Sequence, residues 1–243
     1  MTATSKPGVV AVLLAGGVGA RMGGEVPKQL LRLAGREVLA HAIDVFEACP
    51  DVDEIRVFMA ADHVEAARRL VTAYGYAKVR GVEAGGATRD ASTRRALEAL
   101  AGMPDDAKVL VHDAVRPLVD PPTVARCVAA LDVDNAVTAA IPTVDTILEI
   151  APGDAGEHLV GIPDRARLRR CQTPQGFRLA TLAHAHALAA EDPAFAPTDD
   201  CGVVRRYLPD EPVAVVPGSE HNLKITHPGD LAFAEQLLRD RTL

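Results

Sequence analysis

The chain alternates between short, continuous apolar runs and longer stretches in which apolar residues recur every three or four positions. Continuous apolar runs predict buried strands, and the three-to-four spacing predicts amphipathic helices. The pattern predicts strands over 9–14, 55–60, 78–82, 108–112 and 136–141, and helices over 38–48, 63–73, 90–100 and from 121 onwards. Strands that alternate with helices in this way favour an α/β fold with a doubly wound, mostly parallel sheet.

The alternation breaks after residue 141. Two strand-like segments, 144–150 and 158–162, are separated only by the turn Ala151-Pro152-Gly153-Asp154, which leaves no room for a helix. We therefore predict a β-arm over about 142–165 that projects from the sheet. Further helices are predicted over 179–190, 199–207 and 228–239, with a strand over 213–216. No linker, repeat or low-complexity stretch divides the sequence, so a single domain over residues 1–243 is predicted.

The composition narrows the classes of function. Aromatic residues make up 3% of the chain and Trp is absent, so the predicted core consists of Ala, Val, Leu and Ile. The formal net charge is -7, whereas general binding of nucleic acid or of an anionic membrane requires a basic surface. Neither partner is therefore expected, and any phosphate ligand must be held by local cations.

Cysteine spacing and hydropathy bear on the cellular compartment. Cys49, Cys127, Cys171 and Cys201 lie far apart, which favours neither a zinc site nor a disulfide framework. Residues 1–8 lack an apolar signal core, and no run reaches the ~20 apolar residues that a membrane span needs. We expect a cytoplasmic protein with reduced thiols.

A glycine-rich segment, 14–24, directly follows the first predicted strand, where α/β sheets bind ligands. It is not a dinucleotide fingerprint, because Met22 stands where the third glycine would be, and no Gly-Lys-Ser/Thr follows that would make it a Walker A loop. Backbone N–H groups together with Arg21 and Lys28 could instead converge on a polyphosphate. The alternative at this point is an ordinary tight turn with two solvated cations.

Two further segments end predicted strands and carry polar residues. Gly85-Gly86-Ala87-Thr88-Arg89-Asp90-Ala91-Ser92 combines small residues and hydroxyls suited to recognising a base. Asp113 ends a buried apolar strand, where a carboxylate is costly unless a cation or hydrogen-bond donors satisfy it. Mg²⁺ that bridges to phosphate is a reasonable partner, and the alternative is that Asp113 caps a turn or pairs with Arg116.

Taken together, these segments resemble the superfamily of methylerythritol phosphate and ribitol 5-phosphate cytidylyltransferases over essentially the whole chain. Nine pieces carry the resemblance in order: the loop that ends in Gly19-Ala20-Arg21-Met22, Pro27-Lys28-Gln29, Gly85-Gly86 with Arg89 and Ser92, His112 to Pro117, Asp145-Thr146, Arg165, Gln172-Thr173-Pro174-Gln175-Gly176-Phe177, Thr198-Asp199-Asp200 and Asn222-Leu223-Lys224-Ile225-Thr226. The resemblance implies a Rossmann-like nucleotidyltransferase fold that joins CMP from CTP to a polyol phosphate with release of pyrophosphate. It also implies Mg²⁺ as cofactor and a homodimer whose active sites are shared through the arm.

The resemblance assigns roles to residues by position. It implies catalytic roles for Arg21, Lys28, Arg165 and Lys224. It implies nucleotide binding by Leu14, Ala15, Gly16, Gly17, Gly19, Gly86, Arg89, Ser92, Asp113 and Ala114, with Asp113 also holding the metal. It implies binding of the sugar-alcohol phosphate by Arg116, Thr146, Arg165 and Thr173. Because a phosphate monoester is already an anionic nucleophile, this chemistry needs charge stabilisation and alignment rather than a general base.

The sequence departs from the usual pattern at two points. Methylerythritol phosphate enzymes usually carry Pro-Ala-Ala-Gly and His-Asp-Ala-Ala-Arg, whereas this chain has Leu14-Ala15-Gly16-Gly17 and His112-Asp113-Ala114-Val115-Arg116. These departures, and Cys201, resemble the ribitol 5-phosphate branch. We expect 2-C-methyl-D-erythritol 4-phosphate to be the substrate, since that activity is widespread in bacteria, and D-ribitol 5-phosphate is the alternative.

Two more distant alternatives remain. A hexose 1-phosphate nucleotidyltransferase shares the glycine loop but does not account for the segments at 172–177 and 222–226. A non-catalytic nucleotide-binding module would be expected to have lost at least one of the site charges, which are costly to bury.

His184 and His186 are spaced i, i+2 on a predicted helix and so point to different faces, which argues against a shared metal.

Overall fold

The structure, a computed structural model, describes residues 8–17, 26–153, 156–192 and 194–241. Two residues with predicted roles, Gly19 and Arg21, lie outside the described residues, as does Asp154 of the predicted turn.

The described chain forms eleven strands and seven α-helices. The strands are β1 (Val9–Ala15), β2 (Arg32–Leu33), β3 (Arg36–Glu37), β4 (Glu54–Met59), β5 (Val79–Ala84), β6 (Lys108–Asp113), β7 (Ala136–Pro142), β8 (Glu149–Gly153), β9 (Gly156–Gly161), β10 (Arg169–Arg178) and β11 (Val213–Pro217). The helices are α1 (Val38–Ala48), α2 (Val64–Tyr74), α3 (Arg89–Ala99), α4 (Pro121–Ala130), α5 (Leu179–Ala190), α6 (Asp200–Tyr207) and α7 (Pro228–Arg241).

Seven strands form one sheet in the order β11-β7-β10-β6-β1-β4-β5. Strand β10 pairs antiparallel with both β6 and β7, whereas the other described pairs of this sheet are parallel. The predicted α/β fold with a mostly parallel sheet is therefore confirmed. The carboxyl ends of β1, β5 and β6 meet at one edge, where crossover loops carry ligand sites in such sheets.

Helices cover both faces of the sheet, and β1 shows why its sequence is continuously apolar. All seven residues of β1 are buried. Val9, Ala11 and Leu13 belong to the core cluster on one face, and their neighbours Val10 and Val12 belong to the cluster on the other. Because successive side chains point to opposite faces, a strand covered on both sides needs apolar residues at every position.

The hydrophobic pattern does not predict β10. Its segment Gln172-Thr173-Pro174-Gln175 is polar and contains proline, which is typical of a loop rather than of a buried strand. The pairing of β10 with β7 shifts register between Cys171 and Gln175, and the polar side chains of this irregular stretch are buried. The strand is thus stabilised by hydrogen bonds that only the assembled fold provides.

The arm is a hairpin of β8 and β9, a two-stranded sheet separate from the main one. The predicted strand over 144–150 is wrong in its first part, because residues 143–148 form no strand. The predicted turn also starts too early, since residues 151–153 belong to β8. Several large apolar side chains of the arm and its flanks are exposed, among them Val144, Leu148, Leu159, Val160 and Ile162.

Side-chain caps start the helices that border the site. Thr88 accepts from the backbone N–H of Ala91 at the start of α3, and Asp199 accepts from that of Gly202 at the start of α6. Such caps satisfy N–H groups that have no partner within the helix. Among the helices of the described residues, none is long and apolar enough to cross a membrane.

Candidate active site

A cavity of about 300 Å³ opens at the carboxyl edge of the sheet. The loops after β1, β5 and β6 contribute to it, together with the turn at 27–30 and the segment before α7. Its described lining consists of Leu14, Gly16, Gly17, Lys28, Gln29, Ala87, Thr88, Arg89, Ser92, Asp113, Val115 and Lys224. The structure therefore brings together residues from five of the segments that carry the predicted chemistry.

Asp113 is the centre of charge in this cavity. Lys224 Nζ lies 2.8 Å from its Oδ2, Arg89 Nε lies 3.3 Å from its Oδ1, and Arg116 Nε is more distant at 3.8 Å. Burial alone would raise the pKa of Asp113, but the charges of Arg89 and Lys224 outweigh it and hold that pKa well below its usual range. The carboxylate is thus ionised and pairs with several cations rather than with Arg116 alone.

A chain of hydrogen bonds fixes the backbone at Asp113. The Asp113 N–H donates to Thr173 Oγ1 (3.1 Å), and this hydroxyl lies 2.9 Å from His112 Nδ1. The other ring nitrogen of His112 lies 3.1 Å from the carbonyl of Arg116. Burial lowers the pKa of His112 to about 4. The neutral ring therefore donates from Nε2 to that carbonyl and accepts the Thr173 proton at Nδ1.

Asn222 connects these hydrogen bonds to the segment that carries Lys224. Its side-chain Nδ2 donates to the backbone carbonyl of Thr173 (2.7 Å), and its backbone carbonyl accepts from Arg116 Nη1 (2.7 Å). Arg116 is largely buried, and that burial lowers its pKa from the ordinary value. These bonds explain why polar residues of β10 are buried. Thr173 holds the end of β6 at Asp113 and the segment at Asn222 together at the site.

The two lysines at the cavity differ in their surroundings. Lys28 is buried, and its Nζ donates to the carbonyl of Ile225 (3.1 Å). Lys224 exposes 41% of its side chain and pairs with Asp113. Gln29, next to Lys28, donates from Nε2 to the carbonyl of Gly17 (3.1 Å) and so links this turn to the start of the glycine loop.

The loop at 85–88 is held closed by Ser92, a residue of α3. Ser92 Oγ accepts from the Gly86 N–H (3.0 Å) and donates to the carbonyl of Thr88 (2.9 Å). A Cβ at Gly86 would overlap Ala91, and one at Gly85 would lie 2.9 Å from Ser92 Oγ. Both glycines are therefore required by close packing against α3.

Several residues with predicted roles lie outside the described lining of the cavity. Ala15, Gly86, Ala114 and Arg116 are sequence neighbours of lining residues, and Thr173 accepts a hydrogen bond from the backbone N–H of Asp113. Thr146 and Arg165 are elsewhere: both are exposed at the base of the arm, where Arg165 Nη1 donates to the carbonyl of Val144 (2.7 Å). The described chain thus does not bring these two to its own cavity.

Sequence reasoning missed one buried group beside the site. His186 exposes only 2% of its surface and lies between two carboxylates, those of Asp90 and Asp200. His184 on the same helix is exposed. A signal was present, because His186 continues the buried helical face of Leu182 at i+4.

Comparison with known proteins supports one family. The sequence model of the family described as 2-C-methyl-D-erythritol 4-phosphate cytidylyltransferase (IspD) matches residues 9–240. A 2-C-methyl-D-erythritol 4-phosphate cytidylyltransferase of Thermobifida fusca is 48% identical over 235 residues, which cover 96% of this chain and 94% of that protein. The bifunctional ribulose 5-phosphate reductase/CDP-ribitol pyrophosphorylase Bcs1 of Haemophilus influenzae is 38% identical over 233 residues, which cover 96% of this chain and 48% of that protein.

A solved structure agrees with these relatives. The crystal structure of 4-diphosphocytidyl-2C-methyl-D-erythritol synthase from Anaerococcus prevotii superimposes with a TM-score of 0.82 at 28% identity and covers 96% of each chain. The fold and the family resemblance inferred from the sequence are thereby confirmed. With a family match over nearly the whole length and a relative of such identity, this chain belongs to the 2-C-methyl-D-erythritol 4-phosphate cytidylyltransferase family.

Proposed function

We propose that this protein transfers CMP from CTP to 2-C-methyl-D-erythritol 4-phosphate and releases pyrophosphate. The observation that carries the proposal is the cavity in which Arg89 and Lys224 pair with Asp113 and which Lys28 also lines, in a chain of this family. A phosphate oxygen of the polyol substrate attacks the α-phosphorus of CTP, and the bond from that phosphorus to the bridging oxygen of pyrophosphate breaks. Two polyanions must therefore meet in one place.

The cations of the cavity address that requirement. Lys28 is buried beside the loop after β1, and a buried ammonium stabilises developing phosphate charge more strongly than a solvated one. Lys224, on the segment before α7, is partly exposed, which leaves it accessible to a second anion. No general base is required, because the attacking phosphate is already ionised at neutral pH.

Mg²⁺ is the cofactor of this proposal. Among the described residues that line the cavity, Asp113 is the one carboxylate. Mg²⁺ is commonly held by one or two carboxylates together with substrate phosphates and water, so this donor set fits the ion. Asp113 would hold Mg²⁺, and the ion when bound would neutralise charge on the phosphates.

A homodimer with shared active sites is part of the same proposal. Thr146 and Arg165 are exposed at the base of the arm, and the arm presents apolar side chains such as Leu159 and Ile162 to solvent. An exposed apolar patch of this kind marks a surface for protein contact. The arm of one subunit would then bring Thr146 and Arg165 to the cavity of its partner.

A second substrate is favoured by one specific comparison. The relative from Haemophilus influenzae is named as a CDP-ribitol pyrophosphorylase, and Val115, which lines the cavity, departs from the usual methylerythritol phosphate pattern. D-ribitol 5-phosphate is therefore the second candidate.

The test is pyrophosphate release from CTP and Mg²⁺ with each polyol phosphate in turn. We expect a kcat/KM for 2-C-methyl-D-erythritol 4-phosphate well above that for D-ribitol 5-phosphate, and a preference for CTP over ATP, GTP and UTP. The reverse order of polyol phosphates would establish the second candidate. Equal rates with all four nucleotides would contradict a cytidylyltransferase.

A further inference from the structure

A buried histidine contacts the ion pairs of the candidate site without touching the cavity. His186 Nε2 lies 3.0 Å from Asp200 Oδ1, and its Nδ1 lies 3.3 Å from Asp90 Oδ1. An ionised carboxylate can only accept a hydrogen bond, so the contact with Asp200 requires a proton on Nε2. The neighbouring His184 is exposed, which confines this contact to one face of α5.

Asp200, which His186 contacts, also binds Arg89. Its Oδ2 accepts from Arg89 Nη1 at 2.6 Å, while Arg89 Nε lies 3.3 Å from Asp113 Oδ1. Asp200 exposes 1% of its surface, and its backbone N–H donates to Gln175 Oε1 (3.1 Å). The guanidinium of Arg89 is therefore fixed from two sides, by Asp113 within the cavity and by Asp200 behind it.

The anchoring by Asp200 decides where Arg89 can point. Arginine is long and flexible, and it keeps one orientation only when hydrogen bonds and packing hold its guanidinium. Burial would lower the pKa of Arg89, but Asp200 and Asp113 outweigh it and raise that pKa, so the charge remains in the cavity wall. Asp200 in turn keeps its orientation through His186, since both of its oxygens are then engaged.

We propose that His186 and Asp200 are positioning residues that hold Arg89 in the geometry required for nucleotide binding. The inference rests on the proposed function, because it takes CTP as the ligand of the cavity. Neither residue is part of the described lining of the cavity. Their contribution is to ground-state affinity for the nucleotide, and it does not extend to the polyol phosphate.

The experiment measures CTP affinity by isothermal titration calorimetry and the two KM values by pyrophosphate release. His186→Phe removes both ring nitrogens at similar volume, and His186→Gln restores an N–H donor near the position of Nε2. We expect His186→Phe to raise the Kd for CTP about tenfold, as loss of a hydrogen bond to a charged group does. His186→Gln should recover most of that loss. His184→Phe, on the exposed face of α5, is the matched control and should leave the Kd unchanged.

The outcomes separate this inference from the proposed function. Wild-type protein that binds CTP, together with a folded His186→Phe variant of unchanged Kd, would overturn the inference alone. Equal rises in the KM for CTP and for the polyol phosphate would also overturn it, because a general loss of structure affects both. Wild-type protein that binds no CTP would overturn both. If His186→Phe does not fold, Asp200→Asn decides in the same titration, because it preserves shape and removes the charge that holds Arg89.

Discussion

At the scale of single residues, the site is organised by which charges are buried. Asp113 exposes 10% of its side chain and is balanced by Arg89 and Lys224. A carboxylate in such a place is stable only while its cations remain, and those cations keep their places only while the carboxylate does. Asp113 therefore preorganises the positive wall of the cavity before any ligand enters.

Lys28→Met should lower kcat by roughly 10² to 10³ with little change in either KM, because charge stabilisation at the α-phosphorus is greatest in the transition state. Steady-state kinetics with pyrophosphate detection measures both parameters. Lys78→Met is the matched control, since Lys78 Nζ also donates to a backbone carbonyl, that of Cys49. Lys78 directly precedes β5 and so lies at the amino end of that strand, whereas the cavity lies at its carboxyl end. A folded Lys28→Met variant with near-normal kcat would return Lys28 to a structural role.

His112 makes a prediction about stability and pH. Its folded-state pKa of about 4 lies below the ordinary value of 6.5, so the unfolded chain binds the proton more readily between these values. The free energy of unfolding should therefore fall as pH is lowered from 6.5 to 4, and His112→Asn should show a shallower fall than wild type over that range. Urea unfolding of both proteins at pH 6.5 and at pH 4 measures the free energy of unfolding, with circular dichroism at pH 6.5 as the check on folding. Parallel pH dependences in both proteins would contradict the assignment.

At the scale of elements, the site depends on loops held closely against helices. The loop at 85–88 is closed by Ser92 and caps α3 through Thr88. Strand β10 is irregular between Cys171 and Gln175, and this irregularity directs Thr173 to Asp113 while Gln175 reaches Asp200. The local backbone shape of this loop and of β10 therefore decides which of their side chains reach the site.

Gly86→Ala tests the close packing of the loop. The new Cβ would overlap Ala91 Cβ and lie 2.6 Å from the Ala91 carbonyl carbon, so the loop must move away from α3. We expect a loss of about 1–3 kcal/mol in the free energy of unfolding and a weaker affinity for CTP. Gly229→Ala is the control, because nothing lies within 4 Å of its Cβ position. Thermal unfolding and CTP titration together decide it: a Gly86→Ala variant as stable and as tight-binding as Gly229→Ala would contradict the packing argument.

At the scale of the whole molecule, the arm is the feature that a single chain does not explain. It forms a sheet of its own, carries exposed apolar side chains and places Arg165 and Thr146 outside the cavity lining. A symmetric pair of chains would place two arms on two cavities by one and the same contact. The proposed dimer accounts for all three features at once.

Mixed dimers test that arrangement. Lys28→Ala chains and Arg165→Ala chains should each be nearly inactive as homodimers. When subunits exchange, one of the two sites in a heterodimer combines a wild-type Lys28 with a wild-type Arg165, so part of the activity should return. Native mass spectrometry confirms that heterodimers form, and pyrophosphate release measures the activity. Heterodimers as inactive as both parents would show that Arg165 acts within its own subunit.

The sequence by itself determined the parts of this protein that depend on local pattern. Strands covered on both faces are largely apolar, so most of β1, β4, β6 and β7 was predictable from short runs. The glycine loop follows β1, the segment at 85–92 follows β5, and Asp113 is the last residue of β6, so each was predictable as lying at the carboxyl end of a strand. Their convergence on one cavity follows from parallel strands whose carboxyl ends share an edge.

The tertiary structure decided what no local pattern contains. The polar strand β10 is stabilised by partners more than 20 residues away, such as Asn222 for Thr173 and Asp200 for Gln175. His186 lies beside the site because α5 packs it against Asp90 and Asp200, which local sequence does not place near it. Buried polar residues are kept by hydrogen bonds to specific remote partners, whereas buried apolar residues need only a nonspecific apolar environment. Periodicity along the chain therefore shows where the core lies, and only the folded chain shows which polar groups meet within it.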